Sequence, residues 1–382
     1  MPRSLLAISL SLTAVLAQTF VPHTVATVLR GGYQVVVADV NHDGKPDLIA
    51  LASGMSELVW YENPSWARHV IAGGFHGMIN CAPRDLDGDG IPEIVLASGF
   101  RGPGVLPERG NTGILTFLAH QGDPRGPWKA TEIGRLPASH RLRWLTLDGQ
   151  PLLLDVPLTA ARATAPQFQG NDPLTVFYPG SWKHKIVSLE ETGVVHGVYI
   201  TPWHERSGDD VLIAGFRGIS WYQPRRNGRW KRHPITPGDP TPWPHGGSSD
   251  VAAGRLGGNR FLCAIEPWHG NQVAVYREQT HWRREVIDSS LTDGQTILTA
   301  NLDGSPNDMI VAGFRGGAES VYLYRATDST GAHWRRETLD NGGMGAAACA
   351  VADFNGDGRL DIACIGSPTA NLKWYENRPA AH

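Results

Sequence analysis

Residues 60–71 read Trp60-Tyr61-Glu62-Asn63-Pro64-Ser65-Trp66-Ala67-Arg68-His69-Val70-Ile71. An aromatic, β-prone run meets a Pro-Ser turn. A second run with a polar face comes after it, which is the pattern of two antiparallel strands. The second half, Trp followed five residues later by Ile, Val or Leu, returns at Trp128/Ile133, Trp182/Val187, Trp230/Ile235, Trp282/Ile287 and Trp334/Leu339. Another copy, with Phe for Trp, is Phe20/Val25. The first half returns as Val176-Phe177-Tyr178-Pro179, Trp221-Tyr222-Gln223-Pro224, Val275-Tyr276-Arg277, Tyr322-Leu323-Tyr324 and Trp374-Tyr375-Glu376-Asn377. Upstream lie two small apolar runs, such as residues 33–38 with 47–52 and 346–352 with 361–365.

Each repeat therefore holds four strands in about 50 residues, the size of a propeller blade. Small residues suit the crowded axis, and Trp and Tyr suit the wedge that widens outward. The repeat containing Trp374–Asn377 has no outer strand after it, while Phe20/Val25 stands as an outer strand before the first repeat. The expectation is an all-β, seven-bladed β-propeller with four antiparallel strands per blade. The N-terminal strand completes the last blade and hides both open edges.

Length alone, at 382 residues, favours two or three domains, but a repeat overrides that expectation. Residues 1–17 read as a signal peptide: Arg3 precedes an apolar run at 5–16, and Val15 and Ala17 are small residues before a cut at Gln18. Residues 18–382 then form a single propeller domain, secreted or periplasmic, monomeric and without a membrane span. A formal charge of -3 gives no basic field for nucleic acid. The four cysteines read as small buried strand residues rather than a disulfide framework. A Cys349–Cys364 bridge is conceivable because their strands should pair.

Three inner hairpins share one acidic pattern. They are Asp39-Val40-Asn41-His42-Asp43-Gly44-Lys45-Pro46-Asp47, Asp85-Leu86-Asp87-Gly88-Asp89-Gly90-Ile91-Pro92-Glu93 and Asp353-Phe354-Asn355-Gly356-Asp357-Gly358-Arg359-Leu360-Asp361. Acids or Asn at positions 1, 3 and 5 wrap hard oxygens around a cation, Gly at 6 allows the turn, and the acid at 9 closes the shell. Oxygen-only ligation suits Ca2+, at about three structural sites. The other repeats have lost the pattern. These loops resemble those of the FG-GAP/VCBS repeat propellers, including the integrin α-subunit type, over nearly all of residues 18–382.

If the hairpins mark one face, the innermost strands start on the other. Those starts hold Arg30, His76, His140-Arg141, His196, His245, Asp293 and Gly343. The returning strands end near Arg101, Arg217, Arg315 and Trp268-His269. His76, His140, His196 and His245 are the candidate acids and bases. Arg101, Arg217 and Arg315 offer forked donors for an acid group. His269, Asp293, Trp243 and Trp268 complete a sugar-binding mouth, walled by long loops at 101–113 and 157–173. The His set also allows a second divalent metal there.

A calcium-braced propeller with a His/Arg mouth is similar to the propeller-fold polysaccharide lyases, including ulvan and rhamnose–glucuronate lyases. It also resembles the propeller of the aldos-2-ulose dehydratase group. That group's cupin domains have no counterpart in residues 18–382. The resemblance implies a carbohydrate lyase or dehydratase working by β-elimination on an acidic or keto sugar, with an acidic polysaccharide or oligosaccharide as partner. The alternative is a non-catalytic, calcium-stabilised propeller that binds a glycan or a protein. A glycoside hydrolase needs two carboxylates at the mouth, for which only Asp293 and Glu266 offer themselves.

Overall fold

The computed structural model describes residues 18–202, 208–224 and 228–379. The signal peptide expected at 1–17 lies outside these residues. Within them the chain forms seven four-stranded antiparallel sheets. The innermost strands, in blade order, are Gly32–Ala38, Asn80–Arg84, Ser139–Leu147, Val195–Thr201, Asp250–Leu256, Gly294–Ala300 and Ala346–Ala352. Each touches the next, and the seventh touches the first, so the ring is closed. No helix among the described residues is long and apolar enough to cross a membrane.

Blade 7 takes its outer strand from the other end of the chain. Gln18–Ala26 pairs antiparallel with Leu372–Pro379, setting Phe20 opposite Asn377 and His23 opposite Trp374. This is the expected closure.

The repeated residues act between blades. Trp66 and Trp182 sit at the turn before the outer strand with φ of 55° and 51°. That conformation swings the indole out of its own sheet. Trp66 meets Phe354 and Trp374 of blade 7, Trp182 meets Phe117 of blade 2, and Trp334 meets Phe261 of blade 5. A second clasp is polar. Tyr222 donates to Glu191, Tyr324 to Asp288 and Tyr375 to Asp340, each at 2.8 Å and each reaching the outer strand of the preceding blade. Arg232, Arg336 and Lys373 neutralise these three acids. Buried carboxylates are tolerated because each has a cation and a hydroxyl donor.

The outer-strand histidines are structural, as their position implies. His23, His69 and His233 stack on Trp374, Trp60 and Trp221 with centroids 4.4, 4.6 and 4.1 Å apart. His184 meets Phe177 at a tilt, with centroids 5.1 Å apart. The cysteine expectation needs correction. Cys349 and Cys364 face each other in adjacent strands and form a disulfide, while Cys81 and Cys263 are buried thiols. Pairing in register brings the two sulfurs together, so blade 7 has a covalent tie as well as packing.

Candidate functional site at the propeller mouth

The site begins with a backbone irregularity. In five blades the innermost strand opens with a β-bulge, and the extra residues are Tyr33, His140, His196, Gln295 and Ala347. A bulge re-aims one side chain without disturbing the rest of the strand. Three of these five residues, Tyr33, His140 and His196, meet in one polar cluster near the axis.

Tyr33 Oη lies 2.7 Å from His140 Nε2. The Arg141 guanidinium reaches the His140 Nε2 and the His196 Nε2, both at 3.3 Å, and Tyr33 Oη at the same distance. An Arg N–H can only donate, so His196 Nε2 accepts and its proton sits on Nδ1. That Nδ1–H donates to Ser249 Oγ at 3.3 Å, and Ser249 Oγ also accepts the His269 backbone N–H. His140 and His196 are 5.1 Å apart between centroids, as are His196 and His269. The first two are buried, at 2% and 1% exposure. Burial, reinforced by the Arg141 charge, holds both imidazoles well below the usual histidine range, so both are neutral at neutral pH.

The cluster reaches solvent through His269, Asp293 and Arg315. Arg315 binds Asp293 with two N–H donors at 3.1 and 3.2 Å and approaches His269 Nδ1 at 3.5 Å. Burial and then the Arg315 charge push the His269 imidazole down to about 4. His269 and Asp293 both have positive φ, 51° and 55°. Non-glycine residues enter that region at a cost, and the surrounding hydrogen bonds hold them there. Trp268 packs against His269, Phe168 and Phe216, so the loop at 157–173 builds a small apolar wall beside the mouth. An Arg162–Glu108 pair joins this loop to the one at 101–113.

Several expected mouth residues lie elsewhere. His76 is exposed and borders a separate cavity of about 300 Å3 with Arg30 and Glu57. His245 is exposed in the connection before blade 5. Both precede their strands by four or five residues, so the chain is still on the outer loops when it passes them. Arg101 is exposed, and Arg217 donates to the Glu190 carbonyl of the preceding blade. Trp243, by contrast, extends the apolar wall beside the mouth, lying against Phe216 and donating to the Gln167 carbonyl. Glu266 is buried inside blade 5, bound by Ser248, Tyr276 and Arg284, so it is not a mouth carboxylate. Sequence reasoning missed Tyr33 and Ser249 and gave Arg141 no role.

A divalent ion does not fit among these imidazoles. The Arg141 N–H groups occupy the direction from which an ion would reach both Nε2 atoms, and they bring a positive charge. On the opposite face, ligand atoms of Asp85, Asp87 and Asp89 lie within 4.8 Å of one another, a spacing suited to one cation. In the first and third hairpins Asp39, Asn41 and Asp43, and Asp353, Asn355 and Asp357, accept backbone N–H groups of their own turn. Asp47 and Asp361 each take two backbone N–H groups, one of them from Asn63, just past the third strand of blade 1, or from Asn377 in the third strand of blade 7. Glu93 takes the N–H of Leu86. The position-9 acid thus ties its hairpin down through the backbone.

Residues 112–279 match the model of the aldos-2-ulose dehydratase β-propeller domain, a stretch that contains Arg141, His140, His196 and His269. Residues 39–96 and 300–364 match the FG-GAP-like repeat, covering the three acidic hairpins. Aldos-2-ulose dehydratase of Phanerodontia chrysosporium is 26% identical over 299 residues, 66% of this chain. The chain matches about a third of that relative's length, 32%. Among solved structures, BBS1N in complex with ARL6DN, soaked with mercury, has a TM-score of 0.60 at 12% identity, covering 97% of this chain and 99% of that one. A Bacteroides thetaiotaomicron protein of unknown function gives 0.50 at 12% identity, over 95% of this chain and 77% of its own. These two likenesses concern the fold.

Proposed function

We propose that this seven-bladed propeller of FG-GAP-like repeats, related to the propeller of aldos-2-ulose dehydratase, eliminates water or an alkoxide from a sugar at the Tyr33–His140–Arg141–His196 cluster. That cluster is the observation that carries the reading. It places a hydroxyl donor, two neutral imidazoles and a guanidinium around one point. In β-elimination a base takes the proton next to a carbonyl or carboxylate, negative charge builds on that group, and a donor protonates the leaving oxygen. His196 takes the proton on Nε2, Arg141 holds the developing anion, and Tyr33 gives its hydroxyl proton to the departing oxygen. Once the product leaves, His196 releases its proton to water and Tyr33 takes one back from water, while His140 Nε2 orients the Tyr33 hydroxyl. The Arg141 contacts to both imidazoles are long. A substrate oxyanion is a stronger acceptor, and drawing the guanidinium towards it frees the two Nε2 lone pairs. His269, Arg315 and Trp268 orient the sugar at the rim.

The same proposal has the chain exported and monomeric, with Ca2+ on the three hairpins. The Cys349–Cys364 disulfide supports an oxidising compartment. The burial of His140 and His196 favours a second reading, a glycan-binding propeller in which the imidazoles only shape the floor. The test is ultraviolet detection of unsaturated products across keto sugars and acidic polysaccharides. Tyr33→Phe, which preserves the ring, should lower kcat about 10²–10⁴-fold with little change in melting temperature. A wild type that binds sugar without turnover would leave the binder.

A further inference from the structure

Beneath the mouth lies a cavity of about 350 Å3, lined by the innermost strands of all seven blades. It therefore sits on the propeller axis. Its polar lining includes Arg141, Arg143, Asn80, Asp250, Tyr199 and Gln295. Among the described residues no carboxylate lies within 4.0 Å of either guanidinium, whereas the clasps between blades all pair cation with acid. Arg143 spends its donors on neutral acceptors: Nε on the Val198 carbonyl at 3.2 Å, and Nη1 on Asn80 Oδ1 at 3.1 Å and the Leu142 carbonyl at 2.8 Å. Its Nη2 has no partner among the described residues. Arg141 likewise meets only neutral groups. Asp250 is the one acid lining the cavity, and its oxygens accept the backbone N–H groups of Val251 and Ile297. Two cations and one anion leave the cavity with a net charge of +1.

A buried guanidinium without an acid is costly unless something supplies the missing charge. The deficit is a single negative charge. The volume equals about a dozen waters at ~30 Å3 each, which is room for one hexuronic acid residue with several waters around it. We infer that the axial cavity binds the carboxylate of an acidic sugar residue between Arg141 and Arg143, which makes a uronate, not a neutral ketose, the substrate class. The binding step stands without the elimination reading, and only the chemistry after binding rests on it. Asp250 sets the stoichiometry, because it admits one negative charge and repels a second.

The experiment is isothermal titration calorimetry on the full chain with glucuronate, glucose, acetate and sulfate. Glucuronate should bind saturably, glucose at least about tenfold more weakly, and added chloride should compete. Arg143→Met should weaken glucuronate about tenfold or more, and Arg143→Lys, which keeps the charge, should restore part of it. Asp250→Asn should strengthen binding several-fold and admit sulfate. Should Arg143→Met fail to fold, the wild-type preference for glucuronate over glucose still decides. Equal binding of the two sugars, or acetate binding without glucuronate, overturns the inference. Glucuronate binding without turnover supports it while removing the catalytic reading. Turnover of a neutral ketose with no anion binding does the reverse.

Discussion

Asp155 lies directly behind the start of the strand that carries His140. Its Oδ1 accepts the Ser139 hydroxyl at 2.9 Å, while Oδ2 is buried with no partner among the described residues. Burial raises this acid from its ordinary 3.8 to about 8, so it is protonated at neutral pH. Between pH 4 and 8 the unfolded chain has released this proton and the folded chain holds it. Stability from this group is therefore greatest at low pH and falls as pH rises, levelling off above about 8. Asp155→Asn keeps an acceptor for Ser139 and removes the titration. It should weaken the pH dependence of the melting temperature, leaving the share carried by Asp172, which burial also raises to about 8, and stabilise the protein at pH 8 by on the order of 2 kcal/mol. A variant less stable than wild type at pH 8 would show that the carboxylate is ionised and held by something else. At this scale the sequence is partly readable. His140, His196, His269, Asp293 and Arg315 stand at strand starts or ends, where the repeat pattern points to them. Tyr33 escapes because only the bulge at Gly32/Gln34 turns it towards His140, and a bulge leaves no mark in composition.

The acidic hairpins are the elements whose proposed role is most legible, since its chemistry is written within nine consecutive residues. Their expected strengths differ. The first and third carry Asn at position 3 and pair the position-5 acid with Lys45 or Arg359. The second carries Asp at positions 1, 3 and 5, and its neighbouring partner is His120, 2.9 Å from Asp89. More uncompensated charge means tighter calcium binding. If an average loop binds near ~0.1 mM, millimolar calcium stabilises the fold by about 1.4 kcal/mol per site. That corresponds to about 2 °C each for a chain of this size. Chelation should lower the melting temperature accordingly, and Asp87→Asn should remove a larger share than Asp43→Asn or Asp357→Asn. Melting curves with and without calcium check this, and equal shifts in all three variants would contradict the ranking. The innermost strands are less legible. Their register depends on contacts with neighbouring blades, which is why His76 and His245 read as mouth residues although they lie on the loops leading into it.

At the scale of the whole molecule, closure decides stability. In an open repeat array, removing a terminal strand costs mainly the contacts of that repeat. In a closed ring the same strand hides an edge and locks the two ends together. Gln18–Ala26 does this by pairing along Leu372–Pro379, and its contacts extend beyond blade 7. Gln18 donates to the Leu302 carbonyl and accepts from Arg325 of blade 6, and Phe20 packs into the cluster containing Tyr375 and Leu323. Asn377 reaches across to the Leu302 carbonyl as well. The disulfide ties the two inner strands of blade 7, but it cannot replace the outer edge. Deleting residues 18–26 should therefore expose the N–H and C=O groups of Leu372–Pro379, which invites pairing with another chain. The expected outcome is a fall in melting temperature larger than the roughly 6 °C that three calcium sites of the proposed strength would supply, with concentration-dependent association in sedimentation velocity. Adding the 18–26 peptide in trans should reverse part of both effects, because the groove it leaves has a defined register. A deletion variant that stays monomeric and melts at the wild-type temperature would mean that blade 7 closes without this strand.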